Sequence, residues 1–319
     1  MVKVENLKKN YFSGNGKRKA KTSAQFAGIG REEGLTFHLD PGEIFGVIGP
    51  DGAGKTTLFR ILASLLLPDS GTAKLCGLDV VEDYKQIRKV IGYMPGRFSL
   101  YQDLSVEENL SFFATVFNTT IQENYDTIKD IYGQIEPFKD RRAGALSGGM
   151  KQKLALSCAM IHKPHILILD EPTTGVDPVS RKEFWDMLKR LKQEGITTLV
   201  STAYMDEASL CDRIALMKDG DFIATNTPQG IIDDYQEKLW SVQTDNMPQS
   251  LLDLRKYETV ETCFAFGDKH HITVSDRFDQ EDLQRYLSGK NYGHVVVNKI
   301  VPTIEDCFMA LTNSTGDEH

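Results

Sequence analysis

An eight-residue run, Gly49-Pro50-Asp51-Gly52-Ala53-Gly54-Lys55-Thr56, constrains this chain more than any other feature. It fits the pattern GxxxxGK[ST]. It lies between an apolar stretch at 43–48 and a helix-forming stretch at 56–67 that Pro68-Asp69-Ser70-Gly71 stops. Strand, glycine-rich loop and helix in that order make an anion cradle. The glycines let the backbone approach phosphate oxygens, and successive N–H groups form a nest. The following helix aims its positive end at the same place. Lys55 is expected to reach the β- and γ-phosphates of a nucleotide, Thr56 to ligate Mg²⁺, and Thr57 to lie near the α-phosphate.

Two further motifs point to the same chemistry. Ile166-Leu167-Ile168-Leu169-Asp170-Glu171 is an apolar strand ending in two carboxylates. Asp170 is placed to hold Mg²⁺ through water and Glu171 to polarise an attacking water. Alone, this pattern equally describes a solvated strand terminus; downstream of a phosphate loop it carries weight. Leu146-Ser147-Gly148-Gly149-Met150 opens a helix. A hydroxyl, flexible amides and a helix N-terminus again make an anion site, although Ser147 also reads as a plain N-cap. A chain with one phosphate loop needs no second phosphate site for itself. The second site is therefore expected to serve a nucleotide held by another subunit.

Asp177-Pro178 starts a helix, with Asp as N-cap and Pro at the first helical position. Phe184, Trp185, Leu188 and Leu191 form its apolar face, and Gly195 ends it. A strand at 196–201 follows. Strands alternating with helices predict an α/β domain with a largely parallel core sheet.

Length and charge narrow the class. At 319 residues the chain has room for about two domains. It carries 37 Lys and Arg against 45 Asp and Glu, a net charge of −8, which argues against nucleic acid as a partner. No apolar run approaches the roughly 20 residues a membrane span needs. The start, Met-Val-Lys-Val-Glu, has no apolar signal region, so the chain is expected not to be secreted. Cys76, Cys158, Cys211, Cys263 and Cys307 are scattered without a CxxC pair. Each is expected to be a buried small hydrophobe in a reducing compartment. His270 and His271 adjoin, but no ligand spacing predicts a structural metal.

Residues 1–12 read as an edge strand and its turn. Residues 13–34, with the basic run Lys17-Arg18-Lys19-Ala20-Lys21, read as a surface loop: a solvated excursion, or a weak contact for anionic headgroups or an acidic partner. After residue 238 the texture changes to short polar-interrupted strands (271–274, 294–297), a helix at 280–287 and a closing amphipathic helix at 304–311. The tail 312–319 is polar and expected to fray. The division predicted is 1–238 and 239–319.

The order of these motifs makes the chain resemble the ATPase subunits of ABC transporters over about residues 1–235. Within them it looks most like the subunits of ABC-2 type exporters. That closer likeness rests on Gly49-Pro50-Asp51-Gly52-Ala53-Gly54, Thr173-Thr174-Gly175-Val176-Asp177-Pro178, Tyr204-Met205-Asp206-Glu207-Ala208 and Pro302-Thr303-Ile304-Glu305-Asp306-Cys307-Phe308. The resemblance implies a P-loop ABC cassette over 1–238, with a helical signature subdomain at about 90–160. It implies a small α+β accessory or regulatory domain over 239–319.

ATP and Mg²⁺ are the implied ligands. ATP hydrolysis with Glu171 as the catalytic residue would energise a separate integral-membrane permease for export. Tyr11 matches the aromatic that stacks on adenine, although it could simply close its strand. Gly49, Pro50, Asp51, Gly52, Ala53, Gly54, Lys55, Thr56 and Thr57 match the P-loop contacts, and Thr56 and Asp170 the metal site. Ser147, Gly148 and Gly149 would face the γ-phosphate of a partner cassette in a homodimer or heterodimer, and Asp177 would cross the interface. The place implied is the cytoplasmic face of the membrane, as a peripheral subunit. A non-hydrolysing ATP-binding gate and a non-transport ABC protein are the alternatives.

Two positions depart from the family. Gly96 stands where a Gln normally touches Mg²⁺ and the attacking water, and Ala203 where a His normally contacts γ-phosphate. Losing one transition-state donor costs on the order of 10²–10³ in rate. The departures imply either slow hydrolysis or a mainly nucleotide-binding site that lends its signature to an intact partner. Residues 98–109 lie where the family meets its permease, and Phe98, Leu100 and Tyr101 are expected to be exposed anchors there, with core packing as the alternative.

Overall fold

The computed structural model describes residues 1–11, 27–31 and 33–314. The basic run at 17–21 and the tail beyond 314 lie outside the described residues. The chain divides into two compact units, Met1–Pro228 and Gln229–His319.

The first unit opens with β1 (Val2–Tyr11), β2 (Ala27–Ile29), β3 (Leu35–Leu39) and β4 (Ile44–Ile48), followed by α1 (Lys55–Leu62), β5 (Ser70–Leu75), β6 (Leu78–Asp79), α2 (Tyr84–Val90) and β7 (Ile91–Met94). Then come three helices, α3 (Val106–Val116), α4 (Tyr125–Tyr132) and α5 (Gly148–Met160). The unit closes with β8 (Ile166–Asp170), α6 (Pro178–Gln193), β9 (Thr197–Thr202), β10 (Arg213–Lys218) and β11 (Asp221–Asn226).

Two sheets form. The larger has the order β11-β10-β4-β9-β8-β7, parallel from β10 to β7 with β11 antiparallel at one edge. Its strands β4, β8 and β9 are buried along their whole length, as strands covered on both faces must be. The sequence predicted this sheet. The second sheet is antiparallel, and here β1 is not an edge strand: it pairs with β2 and β3 on one side and with β5 on the other. Val2, Val4 and Leu7 alternate inward and join Phe45, Leu58, Phe59 and Leu62 in one apolar core. The alternation was legible; that β1 has partners on both sides depends on pairings up to Leu75.

Helix α1 is shorter than its apolar pattern. It ends at Leu62 because Ser64 turns left-handed (φ 55°) and the Leu65 N–H donates back to Arg60 O. Between β7 and β8 every described element is helical, so the helical part starts after Met94, since 91–94 belong to the core sheet. Helix α6 starts as predicted, with Asp177 accepting from the Ser180 N–H at 3.0 Å and Pro178 at its first position.

The second unit holds α7 (Pro228–Asp233), β12 (Lys238–Thr244), α8 (Met247–Leu254), β13 (Val260–Phe266), β14 (Lys269–Val274), α9 (Gln280–Gly289), β15 (Val295–Lys299) and α10 (Ile304–Ser314). Its antiparallel sheet has the order β13-β14-β12-β15. Val242, Cys263, Ile272, Leu283, Leu287 and Val297 form its core. The unit begins at Gln229, ten residues before the predicted boundary at 239. The reason is α7: Ile231 is buried and its carbonyl receives the Cys307 Sγ of α10 at 3.6 Å. Cys158, Cys211, Cys263 and Cys307 are buried, but Cys76 is exposed, on a left-handed residue (φ 53°) after β5.

Candidate nucleotide site

The glycine-rich loop leaves β4 inside the large sheet and enters α1. Gly54, the N-cap of α1, has φ 108°, a region open to glycine. At Gly49 a Cβ would stand 2.2 Å from the Met217 carbonyl, so the loop lies flat against β10. Lys55 is 3% exposed. Its Nζ donates to Gly49 O at 2.8 Å and Pro50 O at 3.0 Å, and pairs with Glu171 Oε1 at 3.1 Å. The cradle and the carboxylate pair at the end of β8 are therefore one site. Tyr11, at the end of β1, brings its hydroxyl to 3.3 Å from Thr57 Oγ1, and its ring is exposed. Pro50, Asp51, Gly52 and Ala53 form the turn between, tied by the Ala53 N–H to Pro50 O.

Asp170 is buried and accepts from Ser201 Oγ at 2.7 Å. The same hydroxyl receives the Glu171 N–H at 2.9 Å. Ser201 thus orients both acids, a role that sequence reasoning missed. It follows from the register Asp170↔Ser201 between β8 and β9, which no local pattern reveals. Glu171 holds φ 48°, a left-handed conformation that costs a non-glycine residue about 1–3 kcal/mol and is retained where surrounding structure over-determines it. That turn carries its carboxylate back toward Lys55.

These groups suit a magnesium nucleotide. Thr56 offers a partly exposed hydroxyl, and Asp170 keeps a carboxylate oxygen beyond the one Ser201 uses. Hard oxygen donors, one or two carboxylates among them, are what Mg²⁺ takes beside phosphate.

The signature residues lie elsewhere on the same unit. Ser147 caps α5, accepting from the Met150 N–H at 3.4 Å. Gly148 and Gly149 pack on the loop that carries Asp177: a Cβ at Gly149 would stand 2.4 Å from Ser180 Oγ, and one at Gly148 3.4 Å from Gly175 O. The Asp177 carboxyl is held below its ordinary range, chiefly by the Ser180 N–H.

Gly96 adjoins the acids, since a Cβ there would be 3.1 Å from the Asp170 carbonyl and 3.7 Å from its carboxyl carbon. Ala203 follows β9, whose last residue, Thr202, takes the Gly49 N–H on its carbonyl at 3.2 Å. Both departures thus border the acids or the cradle. Of the predicted anchors, Tyr101 is half exposed and stacks edge-on with Phe112 at 4.9 Å, and Phe98 is half-buried with the Lys151 ammonium over its ring. Leu100 is buried, lining a cavity of about 400 Å³ with Tyr93, Met94, Phe113, Phe117 and His162.

A glycine-rich cradle between strand and helix, faced by acids at the end of β8, one strand removed from β4 in a mainly parallel sheet, defines a P-loop nucleotide-binding protein. The comparisons make this specific. Residues 33–174 match the model of the ABC transporter family. The chain is 37% identical over 286 residues to the probable multidrug ABC transporter ATP-binding protein YbhF of Escherichia coli, covering 88% of this chain and 49% of that protein. It thus spans about half the length of that relative. It is 39% identical over 292 residues to the Nod factor export ATP-binding protein I of Burkholderia lata, covering 88% of this chain and 91% of that one. Among solved structures, cbiO1 of Clostridium perfringens, part of the ABC transporter complex cbiONQ, superposes with a TM-score of 0.60 at 27% identity over 73% of this chain and 90% of that one. The chain belongs to the ATP-binding proteins of ABC transporters.

Proposed function

We propose that this chain binds and hydrolyses ATP at the P-loop and so energises a separate integral-membrane permease for export. One observation carries the reading: the Lys55 ammonium and the Glu171 carboxylate meet at 3.1 Å. A γ-phosphate engaging Lys55 would be set beside the group that polarises water. Thr56 and Asp170 would hold Mg²⁺, which would supply charge neutralisation at the phosphates. Tyr11 stacks on adenine. Ser147, Gly148 and Gly149 complete the site of a second cassette, with Asp177 at the interface. Relatives named for multidrug and Nod factor export support the direction of transport. The apolar cavity beside residues 93–100 supports a permease segment as its occupant. The place proposed is the cytoplasmic face of the membrane, as a peripheral subunit; no described helix is long and apolar enough to cross a membrane. The unit from 229 to 319 serves as an accessory or regulatory domain. The acidic balance of −8 favours no nucleic-acid partner.

A second reading has its own support. Gly96 offers no side chain beside Asp170, and the Ala203 methyl has no donor. In this reading the chain binds ATP, turns it over slowly and lends its signature to an intact cassette in a heterodimer. ATP turnover across protein concentration, with Glu171→Gln as the blank, tests both. Turnover rising faster than linearly supports a self-sufficient homodimer. Binding without turnover sinks the hydrolytic reading of this chain alone.

A further inference from the structure

The loop that carries Asp177 and the first turn of α6 are fastened by a single carboxylate from the turn after β9. Glu207, in the turn after β9, is 1% exposed. Its Oε1 accepts from Thr173 Oγ1 at 2.8 Å, at the near end of the loop. The same oxygen lies 3.6 Å from Arg181 Nε, in the first turn of α6. The two fastenings are unequal. The first is a hydrogen bond; the second is about 0.7 Å longer than the usual N–H···O distance. Arg181 Nε and Glu207 Oε2 are both buried without a hydrogen-bond partner among the described residues. Buried polar atoms are nearly always paired, so an unpaired donor 3.6 Å from a carboxylate whose other oxygen is also unpaired calls for an explanation. The rest of the arginine is engaged: its guanidinium lies 4.0 Å over the Tyr204 ring, and Nη1 is 3.8 Å from Asp206 Oδ2. Within the loop, Gly175 (φ 73°) supplies a pivot, and Gly148 and Gly149 of the signature pack against Gly175 and Ser180.

We propose that Glu207 is a positioning residue. It holds the 173–181 loop through a tight end at Thr173, two residues from Glu171, and a slack end at Arg181 that closes when nucleotide is bound. In the closed arrangement Arg181 Nε–H donates to Glu207, the orphans pair, and the α6 N-terminus with Asp177 is drawn toward the Glu171 strand end. A buried ion pair contributes little to stability unless its geometry is good, so an unclosed one fits a part that moves better than a part that only braces the fold. The proposal rests on the reading that this site takes ATP.

The test compares the whole chain with its Glu207→Gln variant, which keeps an acceptor for Thr173 but loses the charge that draws Arg181. Hydrogen–deuterium exchange is followed with and without MgATP. In the unmodified chain MgATP is expected to slow exchange in both 49–57 and 173–182. In Glu207→Gln the protection of 49–57 remains and that of 173–182 is lost. Fluorescent-nucleotide affinity stays within about twofold, the melting temperature is unchanged or higher, and turnover, where the unmodified chain has it, falls about tenfold in kcat with KM unchanged. Thr173→Val and Arg181→Met, each cutting one fastening, serve if Glu207→Gln does not fold. Retained protection of 173–182 in the variant, its absence in the unmodified chain, or an equal loss at 49–57 overturns the proposal. Absence of turnover alone sinks only the hydrolytic reading, because the exchange result still decides.

Discussion

Lys55 and Glu171 pair within the nucleotide site, the ammonium resting 3.1 Å from the carboxylate and also on the Gly49 and Pro50 carbonyls. Phosphate must therefore take Lys55 away from an existing partner. Removing the competitor should favour binding, so Glu171→Gln is expected to tighten ATP affinity while abolishing turnover. Lys55→Met is expected to weaken affinity by about 10- to 150-fold, the worth of a charged hydrogen bond of about 1.5–3 kcal/mol. Titration with a fluorescent nucleotide measures both. Weaker binding by Glu171→Gln would show that the ion pair does not compete.

Ala203 follows Thr202, whose carbonyl takes the Gly49 N–H of the cradle, and brings no donor of its own. Ala203→His is expected to raise ATP turnover by about 10²–10³, the value of one oriented donor in a transition state. Gly96→Gln should help less, because its Cβ would press on the Asp170 carbonyl at 3.1 Å. Steady-state phosphate release from the two single variants gives the answer; equal gains would contradict the steric argument.

Tyr11 presents an exposed ring held near Thr57 by its hydroxyl. A base stacked on an aromatic ring is worth about 1–3 kcal/mol, so Tyr11→Ala should weaken ATP binding by about 5- to 150-fold. Tyr11→Phe, which loses only the hydroxyl contact, should bind nearly as the original. Equal affinity of the alanine variant would place adenine elsewhere.

His270 gives the C-terminal unit an acid sensitivity. Its Nε2 lies 2.9 Å from Met247 O and donates there, and Nδ1 is buried with no hydrogen-bond partner among the described residues. Burial pushes its pKa below the ordinary 6.5. The unfolded chain therefore binds the proton first as pH falls below 6.5, and stability of this unit should decline from there until the folded ring also titrates. Urea melts at pH 5 to 8, read through Trp240 in a Trp185→Phe background, should show this decline. His270→Gln should flatten it, and a flat profile in the unmodified unit would refute the assignment.

The parts legible in the sequence were those encoded locally. The cradle at 49–56, the Asp177-Pro178 helix start and the buried runs at 44–48 and 166–170 each declare themselves in a few consecutive residues. What stayed hidden depends on register and on distant partners. Ser201 became visible only when β9 was set against β8, and Glu207 only when the turn after β9 was set against the Asp177 loop. Leu100 shows the same limit from the other side: a hydrophobe in a presumed contact stretch turned inward because a cavity wall needed it.

The central place of β1 also bears on how the chain is made. β1 precedes both its neighbours along the chain: Val4 pairs with Phe37 on one side and Ala73 on the other. Synthesis at roughly 5–20 residues per second leaves that strand without its second neighbour for several seconds. Charged and polar side chains at Lys3, Glu5, Lys8, Lys9 and Asn10 alternate with or follow its apolar residues through that interval, which discourages pairing with a neighbouring nascent chain. The lysines of the first strand guard the newborn polypeptide before they have any neighbour in the finished one.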